Sequence, residues 1–248
     1  MVDDRTHAPQ TQPLKHSNLG KDSFTVYKAI IFDFGNTLAA SASLATALTD
    51  VLQHPQAMSI GQQIEQEILA LYRPDQQQQP DWCALWQRCF EQAGVDFNES
   101  LGREHLRAFC QASPTFDGVE SLLQTLKQRG IKLGLLSNAT GPADVFQQDF
   151  EHRGLAPYFD AITWSCAIGY RKPYGLAFEA ALQQLGSSAA ETLMVGDSEI
   201  ADVGGAHAIG MDCARVYLGD GNDPSNARYK VHVDTLEQDI LAIFAEQA

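Results

Sequence analysis

Short apolar runs that do not alternate with polar residues, set between helix-length amphipathic stretches, constrain this chain more than any other feature of it. KAIIFD (28–33), KLGLLS (132–137), AITWS (161–165), TLMVGD (192–197) and ARVYL (214–218) are of this kind. A strand with one wet face alternates apolar and polar side chains, whereas a strand covered on both faces has no need to. In GVESLLQTLKQRG (118–130), Val119, Leu122, Leu123 and Leu126 share one helical face, and Gly130 follows as a C-terminal cap. GLAFEAALQQLG (175–186) repeats the pattern, and a last helix places Leu236, Ile240, Leu241 and Phe244 on one side. The alternation predicts an α/β fold with an open, doubly wound parallel sheet.

Residues 39–113 break that rhythm. They hold no convincing strand, but IGQQIEQEILALY (60–72) and DWCALWQRCFEQAG (81–94) read as helices, and QQQQP (76–80) reads as an exposed loop between them. A crossover of this length predicts a separate all-helical unit inserted after the first strand. The expected organisation is a polar, disordered arm over 1–24, a core formed by 25–38 and 114–248, and the helical insertion over 39–113.

Composition excludes several functions. A formal net charge of −14 leaves no cationic footprint for a nucleic-acid backbone, so no nucleic-acid partner is expected. No apolar run is long enough to span a bilayer, and the first residues lack the apolar stretch of a secretory signal, so the expectation is a cytoplasmic protein with no membrane partner. The five cysteines include no CxxC pair and read as free thiols. Nothing in the sequence points to an oligomeric state.

The polar residues fall where an open parallel sheet binds its ligands, beyond the carboxyl ends of its strands. Asp33 closes the first run, Ser137 and Asn138 close the second, Lys172 follows the third, and Asp197 closes the fourth with Asp202 five residues on. Each alone reads as a cap or a surface residue. Together they bring acids, a hydroxyl and an ammonium to one crevice, which is the set needed to attack a phosphate monoester. A carboxylate nucleophile can approach that dianion only if its charge is neutralised. Mg²⁺ does this through oxygen ligands, and an ammonium and a hydroxyl hold the equatorial oxygens. Asp33 is placed as the nucleophile. Asp33, Asp197 and Asp202 are the expected Mg²⁺ acids, with the Gly35 carbonyl beside them, and Asn138 and Lys172 face a small phosphorylated substrate.

DFGNT (33–37), LLSN (135–138), RKP (171–173) and GDSEIAD (196–202) resemble the four ordered motifs of the haloacid dehalogenase-like (HAD) hydrolases. The resemblance spans roughly residues 28–218 and implies a Rossmann-like core, with the insertion in the place of a helical cap. By that resemblance Asp33 is the nucleophile, Ser137 the hydroxyl of the second motif, Lys172 the phosphate-binding lysine, and Asp197 and Asp202 the metal acids. Thr37 lies in the family's turn and is expected to brace it on the substrate side.

Two departures stand out: KPYG (172–175) where many relatives read KPDP, which carries less weight because Tyr174 and Gly175 open a helix, and one beside the nucleophile. Phosphatases of the family carry a second Asp two residues after the nucleophile, as general acid and then base, and here that position is Gly35. Such help is worth about 10²–10⁴-fold in rate. Three readings follow: a Mg²⁺-dependent phosphatase acting through an aspartyl-phosphate, a 2-haloacid dehalogenase, and a non-catalytic domain that binds a phospho-ligand or a protein. The dehalogenase needs no Mg²⁺ and tolerates Gly35, but the resemblance implies a Ser/Asn-rich fourth motif and a cap arginine. Arg73 is the one arginine between 39 and 87. Elsewhere, Trp82 and Trp86 read as packing residues, His207 as packed or solvent-facing, and Asp212 and Asp220 as turn residues. Arg171 is open between ligand contact and surface.

Overall fold

The computed structural model describes residues 26–73 and 75–245; the arm expected over 1–24 lies outside them. In chain order, β1 (Ala29–Phe32) is followed by four helices, α1 (Leu44–Val51), α2 (Ala57–Leu69), α3 (Trp82–Gln92) and α4 (Glu99–Gln111). Then come α5 (Val119–Gln128), β2 (Lys132–Ser137), α6 (Ala143–His152), β3 (Ala161–Trp164), α7 (Ser165–Ile168) and α8 (Gly175–Leu185). The chain ends with β4 (Thr192–Gly196), α9 (Gly205–Ala208), β5 (Asp212–Tyr217), β6 (Tyr229–His232) and α10 (Leu236–Ala245).

The six strands form one sheet in the order β3-β2-β1-β4-β5-β6, every pair parallel. β1 explains why its residues are uniformly apolar. Ile30 and Phe32 enter the core beneath α5 and α10, while Ala29 and Ile31 enter the core beneath α8 and α9. With both faces covered, period-two alternation has no role. The predicted face of α5 is buried in full, and Gly130 and Gly186 take positive φ just past their helices, as C-terminal caps require.

β6 was not foreseen. It is an edge strand whose sequence, YKVH, buries only Val231 completely, so it carries no apolar run to read. Asp212 is not a turn residue: it opens β5 and accepts hydrogen bonds from the Tyr27 hydroxyl at 2.6 Å and from Arg228 at 2.7 Å.

The helices between β1 and α5 pack mainly on one another, α1 lying against α2 and α4. Their centre is a buried polar relay. Trp86 Nε1 donates to His105 Nδ1 at 3.1 Å, and the other ring nitrogen of His105 donates to the Leu44 carbonyl at 2.7 Å. This joins α3, α4 and the start of α1, and burial holds the His105 pKa below its ordinary value, in the neutral form the relay needs. The two connections to the sheet run side by side: Phe116 N donates to Leu38 O at 3.0 Å, Ala40 N donates to Pro114 O at 2.9 Å, and Ala39 bridges Thr115.

The glutamine loop departs from expectation. Gln77 and Gln78 are exposed, but the backbone is fastened to the segment before Lys172: Gln79 N donates to Gly169 O at 2.9 Å and Arg171 N to Gln77 O at 3.1 Å. The Gln79 side chain inserts between the layers, donating to the Ala139 carbonyl and accepting from Arg171 Nη1 at 3.2 Å.

Candidate active site

Asp33 and Asp197 leave adjacent strands at the same level, because Phe32 pairs with Val195 and Asp33 N donates to Val195 O at 2.8 Å. This is the point where strand order reverses, with β2 on one side of β1 and β4 on the other, and a crevice opens at the carboxyl end of such a sheet. Asp202 folds back from a wide helical turn after β4. It fits because residue 196 is glycine: a Cβ there would lie 2.3 Å from the Asp202 carboxyl carbon. Ser198 N holds Asp202 Oδ2 at 2.9 Å.

Lys172 completes the group. Its backbone N–H donates to Asn138 Oδ1 at 2.8 Å and its carbonyl accepts from Asn138 Nδ2 at 2.9 Å, so the end of β2 fixes the lysine's position. Its Nζ then meets Asp33 Oδ1 at 2.7 Å and Asp202 Oδ1 at 2.6 Å, and the side chain is buried.

Oxygens of Asp33, Asp197 and Asp202 lie within 4.8 Å of one another. Burial pushes Asp197 up to about 7, and the neighbouring carboxylates of Asp33 and Asp202 add to the rise. Burial pushes Asp202 up to about 6, against the pull of Lys172. Burial alone would lower the Lys172 ammonium, but Asp202 and Asp33 outweigh it and hold its pKa above the ordinary value. One ammonium among three acids leaves the site short of positive charge. Three hard oxygen donors so close together suit a small divalent cation.

The turn after Asp33 is shaped by Asn36, which takes φ of 55°, tolerable for Asn, and donates from Nδ2 to Asp197 Oδ2 at 3.3 Å. Gly35 lines the cavity, and a Cβ on it would lie 2.9 Å from Ser41 Oγ. Ser137 and Asn138 also line the cavity. Thr37 is fully buried, and its hydroxyl has no hydrogen-bond partner among the described residues. Arg171 is fully buried as well, its guanidinium carbon 5.0 Å from the centre of the Tyr72 ring, so it is not a surface residue.

The cavity of about 510 Å³ lies between the carboxyl end of the sheet and the helical insertion, with Asp33, Lys172, Asp197 and Asp202 on its wall. The insertion contributes Glu65 and Tyr72 to that wall, which the sequence did not single out. Both sit in a helix-like stretch whose pattern signals packing only. Asn36 did carry a signal, as an asparagine in a turn where positive φ is needed. His207 is exposed, and Trp86 is buried with Trp82 packed edge-on against it, as expected.

Residues 27–210 match the family model of the haloacid dehalogenase-like hydrolases. A ribulose-1,5-bisphosphate 5-phosphatase from Halopiger xanaduensis is 29% identical over 128 residues, 52% of this chain and 52% of the relative. The matched segment thus spans about half the length of that relative. In structure, the HAD-hydrolase YfnB from Bacillus subtilis, solved bound to magnesium, superposes with a TM-score of 0.68 at 22% identity over 88% of this chain and 99% of that one. The L-2-haloacid dehalogenase from Xanthobacter autotrophicus gives 0.66 at 21%, over 87% and 99%. At these identities the two structures establish the fold and leave the chemistry to the site.

Proposed function

The chain belongs to the haloacid dehalogenase-like hydrolases, and on that premise we propose that it is a Mg²⁺-dependent phosphatase acting on a small phosphomonoester, with Asp33 as nucleophile. The observation that carries the reading is the close set of Asp33, Asp197 and Asp202 on the cavity wall, with Lys172 bridging Asp33 and Asp202. Displacement of halide from carbon has no use for two acids beyond the nucleophile. A phosphoryl dianion has direct use for the cation they hold.

Asp33, Asp197 and Asp202 would hold Mg²⁺, with the Gly35 carbonyl as the further contact, and the ion when bound supplies charge neutralisation for the phosphate. Lys172 pairs Asp33 Oδ1, which leaves Oδ2 to attack phosphorus. A bond forms from that oxygen to phosphorus as the bond from phosphorus to the ester oxygen breaks, and the leaving oxygen takes a proton from a water molecule, whose hydroxide is neutralised by the proton released when a second water opens the aspartyl-phosphate. Water then attacks the phosphorus of the aspartyl-phosphate, returning the Asp33 carboxylate and releasing inorganic phosphate. Lys172 and Ser137 hold the phosphoryl oxygens through both steps. With Gly35 in the second position, no carboxyl there protonates the leaving group, so turnover depends on how readily the alcohol leaves.

The test is hydrolysis of phenyl phosphate by the wild type and by Asp33→Asn, with and without a chelator. Loss of activity in the variant and on chelation is expected. Turnover of 2-chloropropionate that survives chelation would instead establish the dehalogenase.

A further inference from the structure

The walls of the cavity carry information about the part of the substrate that is not phosphate. Among the described residues Lys172 is the one cation on them, and its ammonium is already shared between Asp33 and Asp202. The other nearby cations do not reach the cavity. Arg153 spends its donors on Asp149 Oδ2 at 2.6 Å, Thr115 Oγ1 at 3.1 Å and the carbonyls of Cys110 and Ser113 at 2.5 Å each. Arg171 is fully buried against the Tyr72 ring and is not on the wall; its Nη1 reaches Gln79 Oε1 and Thr140 Oγ1, while its Nε and Nη2 have no hydrogen-bond partner among the described residues, and Arg73 is exposed.

The insertion supplies a negative charge instead. Glu65 lines the cavity, its Oε1 fixed by Ser43 Oγ at 2.9 Å and Ala45 N at 3.0 Å. The same wall carries Leu44, Ile68, Leu69, Phe109, Phe146 and Trp164, together with the polar Ser41, Ser113 and Thr140 and a second carboxylate, Asp149. Leu69 lines the cavity yet remains 68% exposed, so an apolar ligand would remove that surface from water.

A carboxylate or second phosphate entering this space would lose its water and meet no free cation on the wall formed by the described residues. We infer that the site accepts phosphomonoesters of an uncharged, largely apolar alcohol and rejects those whose alcohol carries a second anion. This rests on the phosphatase reading above and narrows it. It also sets the chain apart from the ribulose-1,5-bisphosphate 5-phosphatase it resembles, whose substrate carries a second phosphate by name.

The test compares two non-hydrolysable probes, phenylphosphonate and 4-carboxyphenylphosphonate, titrated calorimetrically into the full chain with Mg²⁺ present. Hydrolysis of phenyl phosphate and 4-carboxyphenyl phosphate is measured in parallel. The carboxylated probe is expected to bind at least about tenfold more weakly, since like charges brought together at a binding site are disfavoured on that scale or more. Glu65→Gln keeps the acceptor for Ser43 and Ala45 but removes the charge, and should narrow the ratio at least about threefold by the same argument. Equal or tighter binding of the carboxylated probe overturns the inference, as does equal turnover of the two esters, while the latter leaves the phosphatase reading standing. A ratio unchanged in Glu65→Gln overturns the electrostatic cause. Preferential binding of phenylphosphonate with no turnover of either ester supports the ligand class and removes the phosphatase reading. No binding of either probe overturns both.

Discussion

At Gly35 the missing side chain has a visible neighbour, since Ser41 Oγ stands 2.9 Å from where a Cβ would be. A serine hydroxyl can rotate away, so Gly35→Asp is expected to fold. It should raise the turnover of alkyl phosphates relative to aryl phosphates by about tenfold, because poor leaving groups gain most from an acid. A uniform loss, relieved by adding Ser41→Gly, would show that the glycine is required for space. The acids make a second prediction at this scale. Asp197 and Asp202 are raised by burial to about 7 and about 6, so the stability they permit is full below their unfolded pKa and is lost as pH rises through those values. The Mg²⁺ binding proposed for these acids has the opposite sign, because it needs the ionised carboxylates. The thermal shift on adding millimolar Mg²⁺ should therefore be larger at about pH 8 than at about pH 5. A shift independent of pH would count against these acids as ligands.

Among the elements, the relay from Trp86 through His105 to Leu44 makes the helical insertion more than an apolar bundle. Trp86→Phe leaves the buried Nδ1 of His105 unpaired and should cost about 1–3 kcal/mol in denaturant unfolding. His105 has a lowered pKa, so its contribution is present above the unfolded value of about 6.5 and is lost as pH falls below it. His105→Phe should flatten that part of the profile; an unchanged acid limb would place the titration elsewhere.

The same relay shows what the sequence could and could not disclose. The positions of α2 and α3 were legible because their apolar residues recur at helical spacing. The hydrogen bonds that lock them were not, because His105 and Trp86 carry no mark of their partners. Among the strands, those buried on both faces announced themselves, and the edge strand β6 did not. At the site, Asp33, Lys172, Asp197 and Asp202 were legible because the ends of parallel strands converge on one crevice. Glu65 and Tyr72 were not, because which side of an inserted helix faces that crevice depends on the tertiary arrangement.

Taken as a whole molecule, the helical insertion is tied to the core by the packing of α4 on α6, with Arg103 paired to Asp144, and by two backbone and side-chain links that differ in kind. On one side the chain crosses at 38–40 and returns at 114–116. On the other, Gln79 reaches the backbone of Ala139 and the guanidinium of Arg171. Gln79→Ala should leave the sheet intact but speed amide exchange over 76–79 and 169–171, and raise KM more than it lowers kcat. Unchanged exchange there would show that the backbone pairing alone suffices. The paired crossing has a mechanical consequence. Because both connections lie side by side and are hydrogen-bonded to each other, the insertion joins the core through one paired ribbon, and a change in either connection is passed to the other.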